Sequence, residues 1–111
     1  MLIKLGQKIK PAVGLFQIMP MPEILHHVAA HRYAVTVDGH LAVCDYLLTD
    51  GRMIFTHTLV PPELRGQGWA EQLVRRGLAD ARAAGRQVVP ACSYVAKFIE
   101  RNAEFQDLLA G

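Results

Sequence analysis

The sequence predicts a single domain of mixed architecture, α/β of the α+β kind. It comprises a three-stranded antiparallel meander, a crossover helix, a fourth strand parallel to the third, and one or two short C-terminal helices. Three observations carry this prediction. Apolar residues alternate with polar ones from Arg32 to Val60, broken twice by Asp-Gly; apolar residues fall at helical spacing from Ala70 to Ala84; and a short apolar run follows Gly85. A chain of 111 residues that is 51% hydrophobic is long enough for one modest core.

Each element has its own local reason. Residues 1–30 carry Pro11, Gly14, Pro20 and Pro22, which discourage any long element, so residues 1–22 read as an N-terminal extension and the domain as residues 23–111. Within that start only Glu23–Ala30 has a helical composition. Lysines ahead of the apolar run Ala12–Met19 resemble a signal peptide faintly, but Pro20 and Pro22 interrupt the pattern before the small residues Val28-Ala29-Ala30. His26, His27 and His31 bring no cysteine or carboxylate partner and read as a solvated turn rather than a metal site.

Tyr33, Val35 and Val37 alternate with polar neighbours and run into Asp38-Gly39, a strong two-residue hairpin signal. Leu41–Leu48 forms the second strand, and Asp50-Gly51 repeats the turn. Arg52–Val60 supplies the third strand, with Met53, Phe55, His57 and Leu59 expected on one face and Ile54, Thr56 and Thr58 on the other. The helix places Ala70, Leu73, Val74, Gly77, Leu78, Ala81 and Ala84 on one side; Glu71 and Arg75 form an i,i+4 pair on the other, and Gly85 ends it. Gly77 on the apolar side suits close packing against the sheet. Gln87-Val88-Val89 follows as a buried strand, and right-handed crossover makes it parallel to the third. Tyr94, Val95, Phe98 and Ile99 mark a second helix, and Glu104–Leu109 a third capped by Asn102.

This order puts the carboxyl ends of the two parallel strands on one side, with Pro61–Gly68 and Pro90–Ser93 bordering a common crevice. The segment Val-Pro-Pro-Glu-Leu-Arg-Gly-Gln-Gly-Trp-Ala, residues 60–70, joins strand to helix there. Pro61 and Pro62 end strand pairing, Gly66 and Gly68 permit a sharp turn, and a helix N-terminus beyond offers unpaired amides, a combination suited to an anion or to a plain turn. No Lys-Ser or Lys-Thr follows Gly68, which excludes a nucleoside-triphosphate P-loop, and the three-glycine dinucleotide pattern is incomplete. Net charge of +2 with mixed signs gives no nucleic-acid surface, although Arg65, Arg75, Arg76, Arg82 and Arg86 crowd one third of the chain, and no apolar run is long enough to span a membrane.

Two cysteines provide no disulfide framework, and a reducing cytoplasm is the expected setting. Cys92, after the fourth strand and before a helical turn, is the better placed thiol, whereas Cys44 reads as a buried structural residue. His57 near the crevice is a core histidine or a base reaching a group held near Cys92, as activation of a thiol or amine requires. Arg65 and Arg101 suit phosphate, Trp69 reads as a packing residue, and capping and packing explain Asn102 and Tyr94.

The pattern His57-Thr58-x-Val60-Pro61-Pro62-Glu63-Leu64-Arg65-Gly66-Gln67-Gly68-x-Ala70, with Val88-Val89-Pro90-x-Cys92-Ser93-Tyr94-Val95 and Arg101-Asn102, resembles the minimal branch of the GNAT (Gcn5-related N-acetyltransferase) superfamily over about residues 23–109. The resemblance implies a compact GNAT-like fold and an acetyl-CoA-dependent acyltransferase acting on an unidentified amine or other small acceptor. It also implies that Arg65–Ala70 is the acetyl-CoA signature, in which amides of Gly66, Gln67, Gly68, Trp69 and Ala70 hold the CoA pyrophosphate, that the backbone of Thr58, Leu59 and Val60 pairs with the pantetheine arm, that Asn102 contacts the cofactor, and that Cys92 and His57 are the catalytic pair. No metal is implied. Two roles for Cys92 stay open, acetyl-accepting nucleophile and acid toward the departing thiolate. A competing function is a CoA-binding or sensing module with little turnover that acts with a partner protein, and a third is a redox thiol at Cys92. The chain is expected as a monomer or weak homodimer.

Overall fold

A computed structural model describes residues 21–111. The described strands are β1 (Leu25–His27), β2 (Arg32–Val37), β3 (His40–Thr49), β4 (Arg52–Leu59) and β5 (Gln87–Pro90), and the helices are α1 (Trp69–Ala83) and α2 (Ser93–Arg101). Short 3₁₀ turns cover Val28–Ala30, Pro62–Leu64 and Ala103–Leu108. The strands form one sheet in the order β1-β2-β3-β4-β5, antiparallel except for the parallel pair β4–β5. The proposed 1–22 extension and the leader-like Ala12–Met19 run lie, up to residue 20, outside the described residues. Among the described residues no helix is long and apolar enough to cross a membrane.

The meander forms as its turns dictate. Asp38-Gly39 and Asp50-Gly51 both have positive φ at both positions, the geometry of a two-residue hairpin whose twist matches its strands. α1 packs against β2, β3, β4 and β5 with Leu73, Val74, Gly77, Leu78 and Ala81 buried, and α2 packs against β4 and β5. The core beneath them is built from Tyr33, Val35, Val37, Ala42, Cys44, Tyr46, Met53 and Phe55 of the strands with Leu64, Val95, Phe98, Ile99, Phe105 and Leu108. Gly77 is the point of closest approach: a Cβ there would lie 2.7 Å from Phe55 Cε1 and 3.2 Å from Tyr33 Cε2. The Glu71–Arg75 pair forms at 2.9 Å, and Gly85, with φ of 69°, follows the helix end.

Several expectations are corrected. Glu23–Ala30 is not helical: Leu25–His27 is an edge strand pairing with β2, and Val28–Ala30 a 3₁₀ turn. Local composition loses to the sheet here, because β2 offers an open ladder and a site for His26. That imidazole stacks on Tyr33 at 4.2 Å between ring centres and meets the Tyr46 hydroxyl at 2.6 Å, so His26 is docked rather than in a solvated turn. The third helix forms as a 3₁₀ helix over Ala103–Leu108 with Asn102 at its N-cap position, but the Asn102 side chain does not cap it; its amide donates to the carbonyl of Phe98 at 2.8 Å and closes the end of α2 instead.

The last correction concerns the face of His57. Tyr46 pairs with Phe55 but Asp45 with His57, so Thr56 is an extra residue in β4. Such a bulge reverses the parity of everything beyond it. Met53 and Phe55 point to the helices, after which Thr58 takes that side and His57 and Leu59 turn to the exposed outer face. His57 there continues a cross-strand row of His27, Arg32 and Asp45, in which Arg32 Nε donates to Asp45 at 2.7 Å.

Candidate active site

β4 and β5 pair only as far as Phe55 and Pro90. The Cys92 amide makes one more contact, donating to the Phe55 carbonyl at 2.8 Å, and then the two chains part. β4 runs on to Leu59 with no β5 partner opposite. Proline explains the fork from both sides: Pro90 brings no amide to the ladder, and Pro61 and Pro62 direct the other chain into a 3₁₀ turn.

Cys92 sits at the N-cap position of α2 with its sulfur 3.6 Å from the Thr58 hydroxyl. Burial raises its pKa, but hydrogen bonds from the Val95 amide, the Thr58 hydroxyl and the amides of Tyr94 and Thr58 outweigh that, and the thiol titrates below its ordinary value. Cys44, fully buried on β3, faces Thr58 from the other side at 3.8 Å, and burial pushes its thiol up to about 11. The structure therefore brings Cys92 together with Thr58, while His57 stands on the opposite face of the same strand.

The glycine loop lies farther along. Gly66 and Gly68 have φ of 82° and 86°, a left-handed conformation that favours glycine, and no side chain caps the first turn of α1. Arg65, Gly66, Gly68, Trp69 and Ala70 line an opening of about 250 Å³ with Val60, Leu64, Glu71 and Tyr94. Arg65 Nε donates to the Val60 carbonyl at 3.2 Å; the Gln67 amide donates to the Glu63 carbonyl and its oxygen receives the Trp69 indole, so these side chains brace the loop. The uncapped amides and the open space before them fit a phosphate group. Tyr94 and Glu71 continue into a second opening of about 440 Å³ lined by Ser93, Lys97, Phe98, Arg101 and Asn102. Asn102 is held at its margin, 3.4 Å from Arg75 and bonded to Phe98.

A family model described as GCN5-related N-acetyl-transferase matches residues 32–108. The chain belongs to the GCN5-related N-acetyltransferase family. As a GNAT protein it is an acetyltransferase by family, and its mixed sheet with a few helices is the fold of that superfamily. The chain is also similar to a solution structure of a "GCN5-like putative N-acetyltransferase" from Staphylococcus aureus, at 26% identity and a TM-score of 0.66, covering 80% of this chain and 88% of that one. A search among curated proteins finds no significant match.

Sequence reasoning missed Lys97 and Cys44 at this candidate site and gave Thr58 only a backbone role. Lys97 was legible as an i,i+4 partner of Arg101 on the exposed side of a helix. The Thr58 side chain was assigned to the wrong face because nothing local announces the Thr56 bulge. Cys44 becomes a neighbour of the site only through register, since it lies directly opposite Thr58. His26, His27 and His31 form no metal site with other described residues: no group of three His, Cys, Asp or Glu that could hold an ion occurs among them.

Proposed function

We propose that the protein transfers an acetyl group from acetyl-CoA to an amine through Cys92, at the fork between β4 and β5. One observation carries the reading: the opening at the uncapped glycine loop is also lined by Tyr94 of α2, the helix whose N-cap is Cys92, and Cys92 stands against Thr58 on the stretch of β4 that has no β5 partner. The amides of Gly66, Gln67, Gly68, Trp69 and Ala70 hold the pyrophosphate at the start of α1, the Arg65 amide being already bonded to the Pro62 carbonyl. Lys97 and Arg101 face the second opening, where their charges suit a further phosphate, with Asn102 at the edge of the same space. The backbone of Thr58, Leu59 and Val60, on the stretch with no β5 partner, offers strand-like hydrogen bonds to the amides of the pantetheine arm.

Bound acetyl-CoA supplies an acetyl group already activated as a thioester. Cys92, with its ionised form favoured by three amides and a hydroxyl, acts as the nucleophile: its sulfur bonds to the acetyl carbon and the CoA thiolate departs. The Thr58 and helix amides near the sulfur also stand where negative charge develops on the carbonyl oxygen. The acceptor reaches the fork from the outer face, where His57 is exposed and takes the proton released as the nitrogen–carbon bond forms and Cys92 is freed. Peptide mass spectrometry after incubation with acetyl-CoA alone tests this route. Acetyl on Cys92, discharged on adding a primary amine, is the expected result. Bound CoA with no acetyl on Cys92, and full transfer by Cys92→Ala, would refute it, and CoA binding without any transfer would favour the sensing module.

A further inference from the structure

The side chain of Thr58 lies between two thiols. On one side the Cys92 S–H donates to Thr58 Oγ at 3.6 Å; on the other the Thr58 hydroxyl donates to Cys44 Sγ at 3.8 Å. Both lengths fit hydrogen bonds to sulfur, which is larger and softer than oxygen. The arrangement follows from the fold. Thr58 and Cys44 are directly opposed on β4 and β3, and the bulge at Thr56 turns Thr58 rather than His57 toward the helices. Cys92 approaches from beyond the fork, so a single hydroxyl bridges the sheet interior to the site.

Resting on the reading of Cys92 as the reactive thiol, we propose that Thr58 and Cys44 are positioning residues, forming a hydroxyl–thiol chain whose direction reverses when Cys92 loses its proton. In the thiol state the chain runs Cys92 S–H to Thr58 O–H to Cys44. In the thiolate state the proton of Cys92 has left to solvent, Thr58 turns its hydrogen to the Cys92 sulfur, and Cys44 donates its own S–H to Thr58 Oγ. No covalent bond is made or broken in the reversal; two hydrogens swing about C–O and C–S bonds. Cys44 can serve in both states because it stays protonated. It is fully buried, and burial pushes its thiol up to about 11. A threonine alone would stabilise the thiolate at the cost of an unsatisfied oxygen in a half-buried place, and the second thiol removes that cost.

Among the groups around the chain, Tyr94 on α2 and Asp45 on β3 are titratable. Tyr94 has its pKa raised by burial, and Asp45 faces the outer side, bound to Arg32. The leading favourable interactions of Cys92 come from amides and a hydroxyl rather than from a charged side chain, so loss of the hydroxyl has no ionic substitute.

The test is the pH profile of Cys92 alkylation by iodoacetamide across about pH 6 to 10, read on the Cys92 peptide by mass spectrometry, in the full chain without acetyl-CoA. Thr58→Val is expected to move the profile upward and slow the reaction about fivefold to tenfold at neutral pH, and Thr58→Ser to restore it. Cys44→Ala should shift it in the same direction by about twofold to threefold, and Cys44→Ser should return it toward the parent. Because Cys44 acts through Thr58, the double variant should match Thr58→Val alone. A Thr58→Val profile that coincides with the parent, or a Cys44→Ala effect that persists undiminished in the Thr58→Val background, overturns the chain. Full acetyl transfer by Cys92→Ala would overturn the nucleophile reading instead, leaving the alkylation result to decide the chain on its own.

Discussion

Gly77→Ala asks how closely helix and sheet must meet to form the site. In most helix interiors this change is favourable by about 1 kcal/mol, since alanine is the better helix former. Here the new methyl would stand 2.7 Å from Phe55 Cε1, 3.0 Å from its Cζ and 3.2 Å from Tyr33 Cε2. Neither ring can yield easily: Phe55 and Tyr33 are both fully buried, and Tyr33 is tied by its hydroxyl to Asp80 at 2.8 Å. Overpacking of a tight core costs about 1 to 3 kcal/mol, and two rigid walls place this case near the upper end. The net expectation is a loss of about 1 to 2 kcal/mol, which at a urea slope of about 1.5 kcal/mol/M lowers the unfolding midpoint by about 1 M. The same displacement strains the site, because the Phe55 carbonyl holds the Cys92 amide. Equilibrium urea unfolding followed by far-UV circular dichroism measures it. A midpoint equal to or above that of the parent would refute the argument that Gly77 is there for contact rather than for want of a better residue.

Three further outcomes follow from the same geometry. The pKa of His26 is lowered, chiefly by burial, against a raising influence from Asp80, so the folded state binds its proton less readily than the unfolded chain. Stability from this group is fully present above the ordinary histidine pKa of about 6.5 and is lost as pH falls below it through the lower folded-state value, and His26→Gln should flatten that part of a urea-midpoint profile; an unchanged slope would remove His26 as the cause. Gly68→Ala meets no neighbour within 4 Å but must hold a φ of 86°, so it should cost about 1 to 2 kcal/mol of stability and weaken CoA binding in calorimetry by about tenfold; tight binding would count against the loop as the phosphate site. His57→Ala, at an exposed position, should leave stability within about 0.5 kcal/mol and Cys92 acetylation intact while amine-dependent turnover falls about a hundredfold; undiminished turnover would exclude the imidazole as the base.

Much of the fold was legible because it rests on short-range chemistry. The two Asp-Gly pairs set two-residue hairpins, the spacing from Ala70 to Ala84 set α1, and a strand–helix–strand succession with one permitted handedness made β5 parallel to β4. The prolines and glycines of residues 60–70 likewise marked where a strand ends and an open helix terminus begins. These features depend on which backbone angles a residue tolerates and on which side chains share a face, and both can be read along the chain.

Features that depend on a distant partner were not legible. Leu25–His27 is a strand because β2 has an open edge and Tyr33 and Tyr46 receive His26, a reason located up to 20 residues away. The run Met53–Leu59 alternates without interruption, and its only flaw, an extra residue at Thr56, appears when β4 is laid against β3. That residue sends His57 to the outer face, brings Thr58 to Cys92 and makes Cys44 a neighbour of the fork. Sequence supplied the cysteine, the histidine and the glycine loop as a set of groups able to handle an acetyl donor; strand register, which is settled by long-range packing, assigned each of them its side of the sheet.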